Sequence, residues 1–163
     1  MCGMSQFTMG ATVCEFCDFE EKPLEQLSPQ VFDELMAPYE YEKIDGGVRI
    51  DGVKNGRALR GAVAVPHFVT EIAADAFSGC KFLARIALPK GLRSIGAGAF
   101  RHCRDLFDVW IPKSVTAIGK GAFADCYDLN VICAEAPEKP NGWDEEWLLG
   151  CDARVEWSSI DEA

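Results

Sequence analysis

The first thirty of the 163 residues contain no basic leader and no apolar run of seven or more. A secretory signal needs both features and a membrane helix needs about 20 apolar residues in succession. The chain is therefore expected in the cytoplasm with no membrane span; the alternative is a secreted or cell-surface protein whose leader has been removed. Histidine is scarce, with two residues, and no Ser/His/Asp set, paired carboxylates or glycine-rich phosphate loop stands out. An enzyme is the least expected class. Eight cysteines are too few to staple a chain of this length into a disulfide scaffold.

Acidic residues dominate, giving a formal net charge of −10, but they are unevenly placed. From Cys14 to Asp45 ten acidic residues face two basic ones, and from Glu135 to the end nine face two. The stretch between holds twelve basic against seven acidic residues. A mildly basic body between acidic flanks argues against nucleic acid as partner, because the flanks repel phosphate or compete for the basic face.

The strongest signal is a repeat. Phe77, Phe100 and Phe123 are spaced 23 residues apart, and so are the trios Cys80/Cys103/Cys126, Leu83/Leu106/Leu129, Ile72/Ile95/Ile118 and Pro66/Pro89/Pro112. Apolar residues locked at each phase of a fixed period mark stacked units, none of which can bury its apolar face alone. Within a unit, Leu-x-x-Ile/Val-x-Leu/Ile-Pro reads as a short strand ended by proline, which has no ladder N–H to give. Val69 and Ile72 then form an opposite wall, and Ala76, Phe77, Cys80 and Leu83 fall at the spacing of one helical turn or a tight coil.

Ahead of the repeats, Ser28 is an N-cap and Pro29 a first helical residue for a short helix with Val31, Phe32, Leu35 and Met36 on one face, ended by Pro38. Three strand-like runs follow, Tyr39 to Ile44, Val48 to Val53 and Leu59 to Val65, separated by Asp45-Gly46-Gly47 and Lys54-Asn55-Gly56; they predict a β-meander that caps the stack. The predicted organisation is a cysteine-containing segment and helix over 1–38, a meander cap over 39–64, three repeats over 65–134, and a tryptophan-rich cap with an acidic tail over 135–163.

The copy Ile111-Pro112-Lys113-Ser114-Val115-Thr116-Ala117-Ile118-Gly119-Lys120-Gly121-Ala122-Phe123-Ala124-Asp125-Cys126-Tyr127-Asp128-Leu129 resembles the BspA-like subclass of leucine-rich repeats. The resemblance covers roughly residues 59–157. It implies an α/β repeat fold, a short leucine-rich-repeat solenoid with a concave sheet, together with protein binding and no catalysis; many members of the family are bacterial surface or secreted adhesion proteins.

Candidate sites follow from this frame. Strand alternation turns Leu106, Val109 and Ile111 inward and leaves Asp108 and Trp110 toward the concave side, with Phe107 at its margin. One period places Arg85 beside Asp108 and Ala87 beside Trp110, with Asn130 and Cys133 on the other flank. Arg85, Phe107, Asp108 and Trp110 thus form an expected protein-binding patch, an aromatic anchor beside an opposite-charge pair. A second copy of the chain is a possible partner there. No cofactor is expected, with one exception. Cys14-Glu15-Phe16-Cys17 has the spacing of half a zinc site, and Cys2 offers a third thiolate for a zinc-stabilised regulatory module. The competing reading is unpaired cysteines in a lightly packed terminus. Cys80, Cys103 and Cys126 read as reduced core residues, His67 and His102 as surface residues, and Trp143, Trp147 and Trp157 as the seal on the end of the core.

Overall fold

The computed structural model describes residues 24–158. A 3-10 turn at Leu24–Gln26 leads into helix α1, Pro29–Met36. Ser28 holds extended backbone at its start, and its hydroxyl accepts the N–H of Val31 at 3.4 Å, one of the donors a helix start leaves unpaired. Phe32 and Met36, one turn apart, bury the helix's apolar face.

Strands β1 (Tyr39–Ile44) and β2 (Gly47–Val53) form an antiparallel hairpin that turns at Asp45 and Gly46, the latter at φ +84°. From there the chain winds between two walls. Strands β3 (Gly61–Ala64), β5 (Leu83–Ala87), β7 (Asp108–Ile111), β9 (Val131–Ala134) and β10 (Arg154–Trp157) build sheet II, in the order β10-β9-β7-β5-β3 and parallel throughout. Strands β4 (Val69–Ile72), β6 (Ser94–Ile95) and β8 (Ala117–Ile118) stack on the hairpin as sheet I, in the order β1-β2-β4-β6-β8. The coils of about 23 residues that begin with β3, β5 and β7 each give one strand to each sheet, and the solenoid has about five turns.

The core between the sheets is columnar because the sequence is periodic. Rings of Phe77, Phe100 and Phe123 stack at 5.0 and 5.1 Å with interplanar angles of 13° and 6°, close to the distance between paired strands. Tyr39 meets one end of this column edge-on at 5.9 Å and Trp147 meets the other at 6.0 Å. Beside it the thiols of Cys103 and Cys126 donate to the carbonyls of Phe77 and Phe100 at 3.1 and 3.0 Å. Cys80, Cys103, Cys126 and Cys151 are free thiols. Burial pushes the Cys80 and Cys126 thiols up to about 11 and about 12, so they stay protonated and act as small core residues.

Two expectations change, one open alternative closes, and one packing constraint appears. First, Gly61–Ala64 does not continue a meander: it leaves the hairpin and pairs in parallel with β5, Val63 against Ile86, because Val63 and Val65-Pro66 repeat the phase of Ile86 and Leu88-Pro89. It is the first strand of the solenoid, which makes five coils rather than three. Second, of the helical turn and the tight coil expected at the closure of each repeat, the tight coil is present; the only α-helix among the described residues is α1. The closing turns instead carry left-handed residues in two columns, Asp75/Gly98/Gly121 and Gly79/His102/Asp125, with φ between +55° and +76°. Their reversed backbone turns N–H groups toward the next coil, as in Phe77 N to Ala99 O (2.7 Å) and Phe100 N to Ala122 O (2.7 Å). Third, at Gly119 a Cβ would strike the backbone of Ala97 in the preceding coil, so this phase needs glycine for the coils to approach. Fourth, residues 135–157 wind as a further, irregular coil: Trp143 bridges Ile118 in sheet I and β10 pairs with β9 in sheet II.

Candidate functional site

Sheet II turns two rows of side chains outward. One runs Ala62, Arg85, Asp108, Val131, Arg154; the other runs Ala64, Ala87, Trp110, Cys133, Glu156. The alternation that buries Ile86, Val109 and Ile132 forces their neighbours to the other face.

The four expected residues come together on this surface. Arg85 lies beside Asp108, Nε to Oδ1 at 3.4 Å, and its guanidinium carbon sits 4.7 Å from the ring centre of Phe107. Trp110 stands between Ala87 and Cys133 in the ladder, half-buried, and Phe107 is 38% exposed. One neighbour differs: Val131, not Asn130, is opposite Asp108, while the N–H of Asn130 bonds the Phe107 carbonyl at 3.0 Å. The bulge in β5 between Leu83 and Arg85 does not alter this register, because it is absorbed before Arg85.

The electrostatics of the pair are incomplete. Arg85 Nε and Asp108 Oδ1 are shielded from solvent, yet neither has a directed hydrogen bond within the protein. Burial raises the Asp108 carboxyl above its usual range and the Arg85 charge opposes that rise without cancelling it. A buried polar atom without a partner costs free energy that an incoming donor or acceptor relieves.

Other candidates do not assemble into chemistry. His102 Nδ1 approaches Asp125 Oδ2 at 3.6 Å across the left-handed column, and His67 packs edge-on against Phe68 at 5.3 Å, one coil or more away. Among the described residues no three His, Cys, Asp or Glu side chains gather as a metal site. Cys2, Cys14 and Cys17 lie outside the described residues. Trp143 and Trp147 are buried at the end of the solenoid, the indole N–H of Trp143 donating to the Val115 carbonyl at 3.1 Å, with Trp157 5.6 Å away.

Sequence reading missed the left-handed columns and the outer-face role of Ala62 and Ala64. The first was signalled by Gly98 and Gly121 sharing a phase, obscured because Asp75 fills it in the first coil. The second was hidden by the lack of a leucine at position 60, where the strand motif would begin.

Residues 61–139 match the model of the BspA type leucine rich repeat region, in 6 copies. A leucine-rich repeat protein from Bacteroides capillosus is 26% identical, with a TM-score of 0.61, over 74% of this chain and 94% of that one. A second, from Bacteroides ovatus, is also 26% identical, with a TM-score of 0.54, over 73% of this chain and 35% of that one. No curated protein matches the sequence significantly.

Proposed function

Residues 61–139 belong to the BspA-type leucine-rich repeats, and on that premise we propose that the chain is a non-enzymatic module that binds another protein through the outer face of sheet II, the face expected to be concave. The observation that carries the reading is the Arg85–Asp108 pair, partly exposed but with its facing Nε and Oδ1 shielded from solvent without a directed hydrogen bond, and flanked by Phe107 and Trp110. Aromatic and arginine side chains around a partly desolvated polar pair have the composition of an interface centre, and the small neighbours Ala62, Ala64 and Ala87 leave room for a partner's backbone. The acidic flanks favour a protein over nucleic acid.

The test is capture of partners from the native source by the wild-type chain and by Trp110→Ala. The substitution is expected to leave the melting curve nearly unchanged and to weaken capture by about 2 kcal/mol or more. If it unfolds the protein or dissociates a homodimer, Trp110 belongs to the scaffold. An intracellular module and a secreted or surface adhesin are two settings of the same binding activity; protease treatment of whole cells followed by immunoblotting separates them.

A further inference from the structure

The two sheets offer four edges, and three are guarded among the described residues. The outer edge of β1 carries Glu40, Glu42 and Lys43. The edge of β8 is covered by 142–144, through Ile118 N to Gly142 O and Asp144 N to Ile118 O. The edge of β10 carries Arg154 and Glu156, ion-paired at 2.7 Å. Charges, bulges and covering loops are the ordinary devices that stop a strand edge from pairing. Among the described residues the edge of β3 has none: it reads Gly61-Ala62-Val63-Ala64, and all but Val63 are exposed.

That edge is also shaped for a strand. Gly61 N bonds Phe82 O and Val65 N bonds Ala87 O, both at 3.0 Å, so the backbone groups of Ala62 and Ala64 point away from β5 to the open side. Sheet I continues past β4, the partner of β3 in its coil, by two more strands, β2 and β1. The end of the solenoid is therefore a step, with a floor at β3 and a wall at the hairpin. Two-fold pairing of β3 with itself would put both inner faces on the same side and bring the two hairpins together, so a single slender strand suits the step better than a second copy.

Charge identifies what does fit. Between Asp51 and Glu71 this acidic chain has no acidic residue, whereas Lys54, Arg57 and Arg60 are all exposed. Arg60 is held at the mouth of the step, Nε donating to Arg57 O at 3.1 Å and the guanidinium lying 4.7 Å over the Phe82 ring. We propose that the free edge of β3 takes up an extended, acid-flanked peptide segment of a partner protein as an added strand. This site uses the backbone edge at Ala62 and Ala64, whose side chains border the outer face, and not the cluster of Arg85, Phe107, Asp108 and Trp110; main-chain bonds to Ala62 and Ala64 supply the binding while the three cations select the flanks.

The probe is a synthetic peptide, acetyl-Asp-Glu-Val-Thr-Val-Thr-Val-Glu-Asp-amide, compared with the same peptide N-methylated at alternate residues and with a lysine-flanked version. Amide exchange by NMR on the full chain reads the site directly. Protection of Ala62 and Ala64 on adding the first peptide, at least tenfold weaker binding of the other two, and equal loss in Ala64→Pro, which removes one outward N–H without touching the β5 ladder, support the proposal. Ala64→Thr, which keeps the N–H, should bind as wild type, and so should Trp110→Ala, which separates this test from that of the outer face. Unchanged exchange at about millimolar peptide overturns the proposal. Protection already present in dilute free protein would assign the edge to another part of the same chain, and protection that rises with protein concentration would assign it to a second copy; either also overturns it.

Discussion

The two ends of this solenoid solve one problem with different chemistry. At the N-terminal end an antiparallel hairpin and an eight-residue helix extend sheet I and set Tyr39 against the phenylalanine column. At the C-terminal end the chain keeps winding and fills the last coil with indoles, Trp147 on Phe123 and Trp143 packed 4.9 Å from Trp147. The hairpin closes one sheet and leaves the other open, because antiparallel return within sheet I supplies no strand for sheet II. The further coil reaches both sheets. Among the described residues, an end made by continuing the repeat is thus the more complete closure, and an end made by a hairpin leaves the β3 edge of sheet II unpaired.

The largest expected effect tests the C-terminal end. Removing residues 135–163 uncovers Ile118, Phe123 and the ladder of β9, so the truncated chain should aggregate or lose its cooperative thermal transition by circular dichroism. An unchanged melting curve would mean that the indole coil closes nothing. Next comes the column that both ends cover. Phe100→Ala should cost about 3 to 5 kcal/mol in urea or guanidinium unfolding, since its ring is fully buried between two others that cannot both collapse inward. A loss under about 1 kcal/mol would show that the column is loosely packed.

A finer contrast isolates the polar part of the C-terminal closure. Trp143→Phe keeps a ring in place but orphans the Val115 carbonyl, and should cost about 1 to 3 kcal/mol; equal stability would assign the whole contribution of Trp143 to apolar packing. The smallest effect lies on the outer face. The Asp108 carboxyl is raised in the folded protein, so ionising it is harder there than in the unfolded chain. Its contribution to stability is present below the unfolded value near 4 and is lost as pH rises through the raised folded value. The gap in stability between Asp108→Asn and wild type should therefore shift in favour of the variant as pH rises from about 3 to 7, by less than about 1 kcal/mol for a partly exposed group. A shift of the opposite sign would mean that the Arg85 charge outweighs desolvation.

Much of this is legible before folding. The period of 23 sets which residues share a column, and Leu83, Val109 and Ile132 are buried because strand alternation leaves them no other face. Arg85 against Asp108 and Ala87 against Trp110 follow from the same subtraction. The Ser28-Pro29 helix start was equally local. Phases with mixed residue types were not legible: Asp75, Gly98 and Gly121 differ chemically but share a left-handed backbone.

The sequence by itself determined the repeat, the columns and the residues of the outer face, because each depends on spacing along the chain and on the alternation of neighbours. Only the tertiary structure decided which sheet each end segment joins. Gly61–Ala64 has strand character in either setting, and its parallel place beside β5 depends on the phase of Val63 and Val65 against a coil twenty-three residues away. The bare edge that results is a property of how two sheets end at different heights, and no local sequence pattern encodes a height.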